Sequence, residues 1–442
     1  MPNDATPAGF ARWQLLTGAA LLVGYSGYYI CRSNLSVAVP GLLADGATGL
    51  DRTSIGLMSS AGVVAYALGK SVTGVAGDFF SGRTLFLGGL FLSVAATLAF
   101  SASGSLPLFF LFWVLNRFVQ SAGWGGLTKT AAHWFPARRY GTVMSLLSLS
   151  YLFGDAAGRY LLGMLIAGGV GWRGIFVAAA VVPAFIGAVD LFILRASPTE
   201  LGFPEPAVNA QNVFGSRGAR SRPDSLRDLL GPYVASTSFW LVCVLSFGMT
   251  LIREAFNTWI PAYLVDAYAL APGTAAEYSA LFPLIGGASA IGIGIFTDRA
   301  GSGNRVTLVV PAMVLCALSL VALAIGTARH DFSLSLAAIG STAFFLLGPY
   351  TLLAGAMALD LGGRKGSATA AGLIDTAGYA GGTLSGFAVG RLAETGGWPA
   401  VFNALAVIAG GVAVAAAAYW FEHRRRTVWR IAHASRIVLR NP

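Results

Sequence analysis

Charge is scarce in this sequence. Of its 442 residues, 11% are Asp, Glu, Lys or Arg, where a soluble globular domain carries about 25%. That shortage excludes a water-soluble chain, whose surface needs charge to stay solvated. Cysteine is scarcer still: Cys31, Cys243 and Cys316 each fall inside an apolar run, which suits packing and excludes a disulfide framework or a thiolate metal site. The 4 histidines form no cluster with cysteine. There is no Gly-x-x-x-x-Gly-Lys-Ser/Thr loop and no Ser–His–Asp arrangement. Nucleotide, metal and hydrolytic chemistry therefore lack their residues, so the chain reads as no enzyme and as needing no cofactor and no metal.

Hydrophobic residues make up 55% of the chain, with 57 glycines. At about 20 residues per crossing, twelve apolar segments are long enough to span a bilayer. They lie near 12–40, 53–77, 83–102, 106–130, 139–166, 172–194, 235–265, 273–298, 305–326, 333–360, 365–390 and 397–421. The prediction is an all-α integral membrane protein, multi-pass in a plasma (inner) membrane and in contact with lipid. The net charge of +10 does not call for nucleic acid. Its bases gather in alternate loops: Arg83, Arg138–Arg139, the central loop, Arg299 with Arg305, Arg364–Lys365, and the tail from Arg424 to Arg440. The remaining loops hold isolated bases such as Arg52, Arg173 and Arg329. Basic loops stay inside, which predicts both termini and the central loop on the cytoplasmic side. The start, MPNDATPAGFARWQ, has no basic n-region followed by a short apolar core and a cleavage site, so the first helix is not expected to be a removed signal.

The chain repeats itself. GVAGDFFSGR after the second segment is matched by GIFTDRAGSGNR after the eighth, Gly74 and Asp78 recurring 220 positions on as Gly294 and Asp298. WRGIFVAAA opens the sixth segment and WPAVFNALA the twelfth. Internal repeats of this kind mark transporter folds. The organisation predicted is a six-helix domain over 1–194, a polar linker over 195–234 with Pro198, Pro204, Pro206 and five arginines, a second six-helix domain over 235–421, and a basic tail over 422–442 that suits an anionic lipid surface.

Charges inside spanning segments are costly, roughly 2.5–3.5 kcal/mol each for Arg, Lys or Asp on insertion scales, and so mark function. Arg32 sits mid-way along GYSGYYICRSNLSVAVP; Arg253 follows 221 positions later in FGMTLIREAFNTWIPAYL. An arginine fork suits phosphate and carboxylate, so the pair is predicted to hold an anionic substrate at mid-membrane. Tyr25 and Tyr29 share the face of Arg32, as an oxyanion site or an aromatic packing stripe. Tyr66 and Lys70 share a face of the second segment, with Lys70 read as facing a cavity rather than snorkelling. Gln120 and Trp124 follow Arg117 along the fourth. Arg117, Asp155 and Arg159 at similar depth predict a buried network, either a packing brace or a proton-coupling element. Asn257 lies four residues after Arg253, while the adjacent Glu254 need not pair with it. Gly348–Pro349 marks a hinge in the tenth segment. In the eleventh, Asp375 and Tyr379 are one turn apart, Asp375 being a charge partner for Arg253 or a proton carrier.

Gly-x-x-x-Asp before a basic loop, here Gly74, Asp78 and Arg83 and again Asp298 and Arg299, resembles the cytoplasmic gate motif of the major facilitator superfamily. Within it the chain resembles the organophosphate:phosphate antiporter family over nearly its whole length. The resemblance is carried by GYSGYYICRSNLSVAVP, AYALGKSVTGVAGD, QSAGWGGLTKTAAHWF, SPTELGFPE, LIREAFNTWIPAYL, GPYTLLAG and TAAGLIDTAGYAGG. It implies twelve transmembrane helices in two pseudo-symmetric six-helix domains, and exchange of an organophosphate (glycerol-3-phosphate, phosphoglycerate or sugar phosphate) for inorganic phosphate by alternating access, in a monomer. It also implies that Arg32 and Arg253 are the paired phosphate-binding arginines and Lys70 the helix-two lysine, with Tyr25, Tyr29, Tyr66, Gln120, Trp124 and Tyr379 at cavity positions. Tyr151, Ser33, Thr258, Pro283 and Gly125–Gly126 depart from the glycerol-3-phosphate subgroup, and Asp155 and Asp375 are additional charges, which leaves the organic part of the substrate open. A proton-coupled organic anion symporter and a non-transporting sugar-phosphate sensor are the alternatives.

Overall fold

A computed structural model describes residues 9–46, 49–300 and 305–438. The start of the chain, four residues of the second gate loop and the last four of the tail lie outside the described residues, among which no strand occurs. Apolar runs with internal backbone hydrogen bonding are the helical solution for a chain in lipid. The first half holds α1 (Phe10–Ala44), α2 (Arg52–Gly77), α3 (Gly82–Ala102), α4 (Leu106–Gln120), α5 (Ala122–Trp134), α6 (Tyr140–Ala167) and α7 (Trp172–Ile193). After the short α8 (Leu226–Val234) come α9 (Thr237–Tyr268), α10 (Pro272–Ser279), α11 (Leu281–Ala300), α12 (Val306–Ala328), α13 (Phe332–Leu352) and α14 (Ala358–Val438).

Each of the twelve apolar segments maps onto this series. The fourth segment is α4 with α5, the eighth α10 with α11, and the last two occupy α14, where Gly363 (φ 57°) and Gly397 (φ 73°) interrupt the helical path. Seven described helical stretches are long and apolar enough to cross a membrane, and one of these, Phe332–Arg425, runs 94 residues and holds three crossings. The three remaining crossings, in α1, in α4 with α5 and in α6, bear Arg32, Arg117, and Asp155 with Arg159. In the tenth crossing, non-helical geometry falls at Gly355, inside a π-type turn over Leu353–Met357. Gly348 and Pro349 sit within α13, so the break lies just beyond the Gly–Pro pair.

Starts are set by local chemistry. Asp51 and Ser54 form a reciprocal capping box on α2, Ser54 N donating to Asp51 Oδ1 at 2.7 Å, and Ser81 caps α3 through Thr84 N. Small residues then set how closely helices approach. A Cβ on Gly126 would meet the Phe86 backbone within 2.8 Å, so α5 and α3 touch main chain to main chain.

By its internal contacts the chain forms two compact units. One is the described chain up to Leu229 together with Ala358–Thr376; the other is Leu230–Met357 with the described chain from Ala377 onwards. Within the first unit, the polar linker is tied to the returning segment. Val213 N donates to Leu361 O at 2.9 Å, Asn209 Nδ2 to Asp360 Oδ1 at 2.9 Å, and Arg364 Nη2 to Pro206 O at 3.2 Å. Arg364 also pairs with Glu205, and Lys365 with Asp228. Gly363 is required at the centre of this contact, both for its left-handed backbone and because a Cβ would strike Gly218 O.

Candidate functional site

In the first unit one tyrosine gathers the cations. The Tyr66 ring, 2% exposed, has Arg32 Cζ at 4.7 Å, Arg117 Cζ at 4.8 Å and Lys70 Nζ at 5.1 Å from its centroid. A ring face attracts cations through its quadrupole, and more strongly where water is excluded. Arg32 also lies over Tyr29, at 5.1 Å, with a long 3.5 Å contact from Nη1 to the Tyr29 hydroxyl. Tyr25 packs on Tyr29 and Trp124 with centroids 5.6 and 5.4 Å apart, and Trp124 is 6.0 Å from Lys70 Nζ. The helical spacing of Tyr25, Tyr29 and Arg32 thus yields both the packing stripe and the cationic site. One set of rings does both jobs.

The same cluster contains an acid. Lys70 Nζ donates to Asp375 Oδ2 at 2.7 Å, so within this unit the partner of Asp375 is Lys70. Their helices meet because both carry glycine at the contact. A Cβ on Gly372 would clash with Lys70 O, and one on Gly74 would lie 2.8 Å from Ala368 O. Ser71 Oγ and Thr376 Oγ1, 2.8 Å apart, close the same seam. Gly74 of the gate motif is therefore a place of backbone approach.

Arg117 and Gln120 are buried. Arg117 Nη1 donates to Gln120 Oε1 at 3.1 Å, and Gln120 Nε2 to Asn116 Oδ1 and Ser93 Oγ at 3.0 and 3.2 Å. Gln120 thus sits in a polar network between α3 and α4. Asp155 and Arg159 pair with each other at 2.8 Å and are 40% and 54% exposed, so the expected single buried network is not formed as such. Its acid–base half is half-exposed on α6, and its third member stacks on Tyr66. Arg159 Nη1 reaches back to Ser36 Oγ on α1 at 3.3 Å.

In the second unit, Arg253 Cζ lies 4.5 Å from the Tyr350 centroid, and Nη2 pairs with Glu254. That pairing departs from the expectation for adjacent helical positions: the arginine side chain is long enough to reach back along the helix surface. Asn257 is exposed and Tyr379 partly buried.

The gate motif holds together differently from its sequence order. Asp78, fully buried, accepts from Thr369 N at 2.8 Å and Ala368 N at 3.3 Å, and its basic partner is Lys129, whose Nζ is 3.2 Å from Oδ1 and 2.7 Å from Asp78 O. Arg83 instead donates to Leu191 O at 2.7 Å. In the second copy Asp298 Oδ1 takes Arg305 Nη1 at 2.6 Å, and Arg299 lies 5.9 Å over Phe296. Lys129 was the residue missed. Its only signal in the sequence was a lysine deep in the small-residue run GGLTKTAA.

Helical crossings with internal repeats, a duplicated Gly-x-x-x-Asp turn and charges buried mid-helix define a multi-pass transporter-type membrane protein. The chain belongs to the Major Facilitator Superfamily, whose family model matches residues 21–385. It is 28% identical over 410 residues to the glycerol-3-phosphate transporter of Bacillus subtilis, covering 90% of this chain and 91% of that protein. It is 26% identical over 412 residues to the membrane sensor protein UhpC of Salmonella typhimurium, covering 91% and 90%. In structure it resembles the Escherichia coli fucose:proton symporter FucP, with a TM-score of 0.68 and 13% identity over 92% of this chain and 99% of that one. That likeness establishes the fold: an all-α major facilitator protein of twelve transmembrane helices in two pseudo-symmetric halves.

Proposed function

We propose that this protein is a secondary transporter that exchanges an organophosphate of the glycerol-3-phosphate, phosphoglycerate or sugar-phosphate type for inorganic phosphate by alternating access. The observation that carries this is the grouping of Arg32, Lys70 and Arg117 around one buried tyrosine with Asp375 as the acid among them. A cationic, water-poor site of this kind favours a dianion over a neutral solute. Arg32 and Arg253, at repeat-related positions, each donate to the substrate phosphate; Tyr25, Tyr29, Trp124, Asn257 and Tyr379 surround the organic part. Without an anion, like charges oppose closure; a phosphate dianion relieves the repulsion and lowers the barrier between states. Inorganic phosphate and an organophosphate both do this, which makes the net process an exchange. The working form is a monomer with both termini in the cytoplasm. The kinship with a glycerol-3-phosphate transporter supports the substrate class.

Proteoliposomes preloaded with phosphate test it. Uptake of radiolabelled phosphate that depends on internal phosphate and is inhibited by organophosphates is the expected result. Uptake driven by a proton gradient and indifferent to internal phosphate would instead mark a symporter. Similarity to a membrane sensor protein favours one further reading, a sensor; saturable binding of a sugar phosphate with no flux in either direction would establish it.

A further inference from the structure

The half-exposed pair on α6 is set against α1, one turn beyond Arg32. Gly154 and Gly158 fix the register of the two helices: a Cβ on Gly154 would meet Ser26 O and Tyr29 Cβ, and one on Gly158 would meet Ser33 Oγ. Ser26 Oγ donates to Ser150 O at 3.0 Å in the same seam. Beside that seam run Tyr151, Asp155 and Arg159 on α6, each one helical turn from the next, and Tyr29, Arg32 and Ser36 on α1. Two contacts record the facing directly: Tyr151 and Tyr29 rings lie 6.1 Å apart, and Arg159 Nη1 is 3.3 Å from Ser36 Oγ.

An exposed charge within a crossing faces water, since lipid would cost kilocalories. The lipid side of α6 is marked elsewhere, by exposed Phe153 and Tyr160, seven residues apart and so on one stripe. Asp155 and Arg159 are therefore turned away from the lipid side of α6, towards the face of α1 that carries Tyr29 and Ser36. Asp155 engages Nε and Ser36 engages Nη1, which are two of the five donors of a guanidinium. Ser36 is four residues beyond Arg32, or about 6 Å along the axis.

We propose that Arg159, steadied by Asp155 and Ser36, is a second anion subsite, and that the substrate is a phosphorylated carboxylic acid: phosphate at Arg32, carboxylate at Arg159. This rests on the organophosphate reading of Arg32. A phosphorylated three-carbon acid carries both anionic groups, whereas a phosphorylated polyol of the same length offers Arg159 only a hydroxyl. Asp155 tunes the subsite by competing with the incoming carboxylate for the guanidinium.

The test is calorimetric titration of the purified full-length protein with 3-phosphoglycerate and with glycerol-3-phosphate. The wild type is expected to bind the acid more tightly. Arg159→Gln brings the ratio of the two dissociation constants towards one, a change of at least tenfold, and Asp155→Asn moves the ratio the opposite way. Equal binding of the two ligands by the wild type, or an equal loss for both in Arg159→Gln, overturns the subsite. Should Arg159→Gln not fold, the opposite shift in Asp155→Asn decides. Because the readout is binding, it separates the two ideas. Selective, Arg159-dependent binding without phosphate exchange in liposomes sinks the exchange reading alone, and exchange without selectivity sinks the subsite alone.

Discussion

Lys70 Nζ lies 2.7 Å from Asp375 Oδ2, with the two side chains 4% and 14% exposed and 305 positions apart in sequence. Removing one partner of a buried pair strands the other, at about 3–5 kcal/mol, while removing both is often nearly neutral. Asp375→Ala is therefore expected to lower the unfolding temperature sharply, and Lys70→Ala with Asp375→Ala to recover most of it. Thermal unfolding of the two single variants and the double variant in detergent supplies the cycle. Additive losses would mean that the pair does not act as a pair.

Arg32→Lys and Arg253→Lys keep charge and lose the planar fork. Arg32 further loses its stacking on Tyr29 and Tyr66, and Arg253 its stacking on Tyr350. Both variants are expected to lose phosphate exchange by at least a hundredfold while remaining folded. Near-normal uptake in either would remove that arginine from the site.

At the gate turn, Lys129 and Arg83 make unequal contributions. Lys129→Met leaves Asp78 a buried carboxylate without its cation, whereas Arg83→Met removes one bond to the Leu191 carbonyl. The expected loss of stability is about 3 kcal/mol for the first and about 1 kcal/mol for the second. Equilibrium denaturation of the two variants ranks them, and the reverse order would assign the latch to Arg83.

The linker contact carries its own pH signature. Hydrogen bonding from Lys365 holds the Asp228 carboxyl below its usual range, helped by the Asp224 backbone and by Arg217. A depressed folded-state pKa stabilises above the unfolded value of about 3.9 and is lost as pH falls through the folded value. The attachment of 205–228 to 360–365 is therefore expected to be indifferent to pH between 5 and 8 and to loosen below about 4. Hydrogen exchange over this segment, corrected for intrinsic rates, reads it directly. Asp228→Asn should show the loosened pattern already at neutral pH.

Much of this protein is legible from the chain alone because its information is local. Runs of about 20 apolar residues, the expense of a charge within them and a motif repeated 220 positions apart can be read without knowing how helices pack. The faces within the cationic cluster were legible too, since Tyr25, Tyr29 and Arg32, or Tyr66 and Lys70, follow helical spacing. What the chain alone left open were partners. Asp375 belongs with Lys70, Glu254 with Arg253, and Asp78 with Lys129, while Arg117 stands apart from the half-exposed Asp155–Arg159 pair.

By itself, then, the sequence determined the class of protein, the number of crossings and which charges lie within them, because each follows from hydrophobicity along a single helix. Only the tertiary structure decided which charge answers which. Pairing depends on the rotation and depth at which one helix meets another, and these are set by small residues at the contact: Gly74 against Ala368, Gly372 against Lys70, Gly158 against Ser33. A missing Cβ lets two backbones approach by an ångström or more, and that approach brings Lys70 within hydrogen-bonding distance of Asp375.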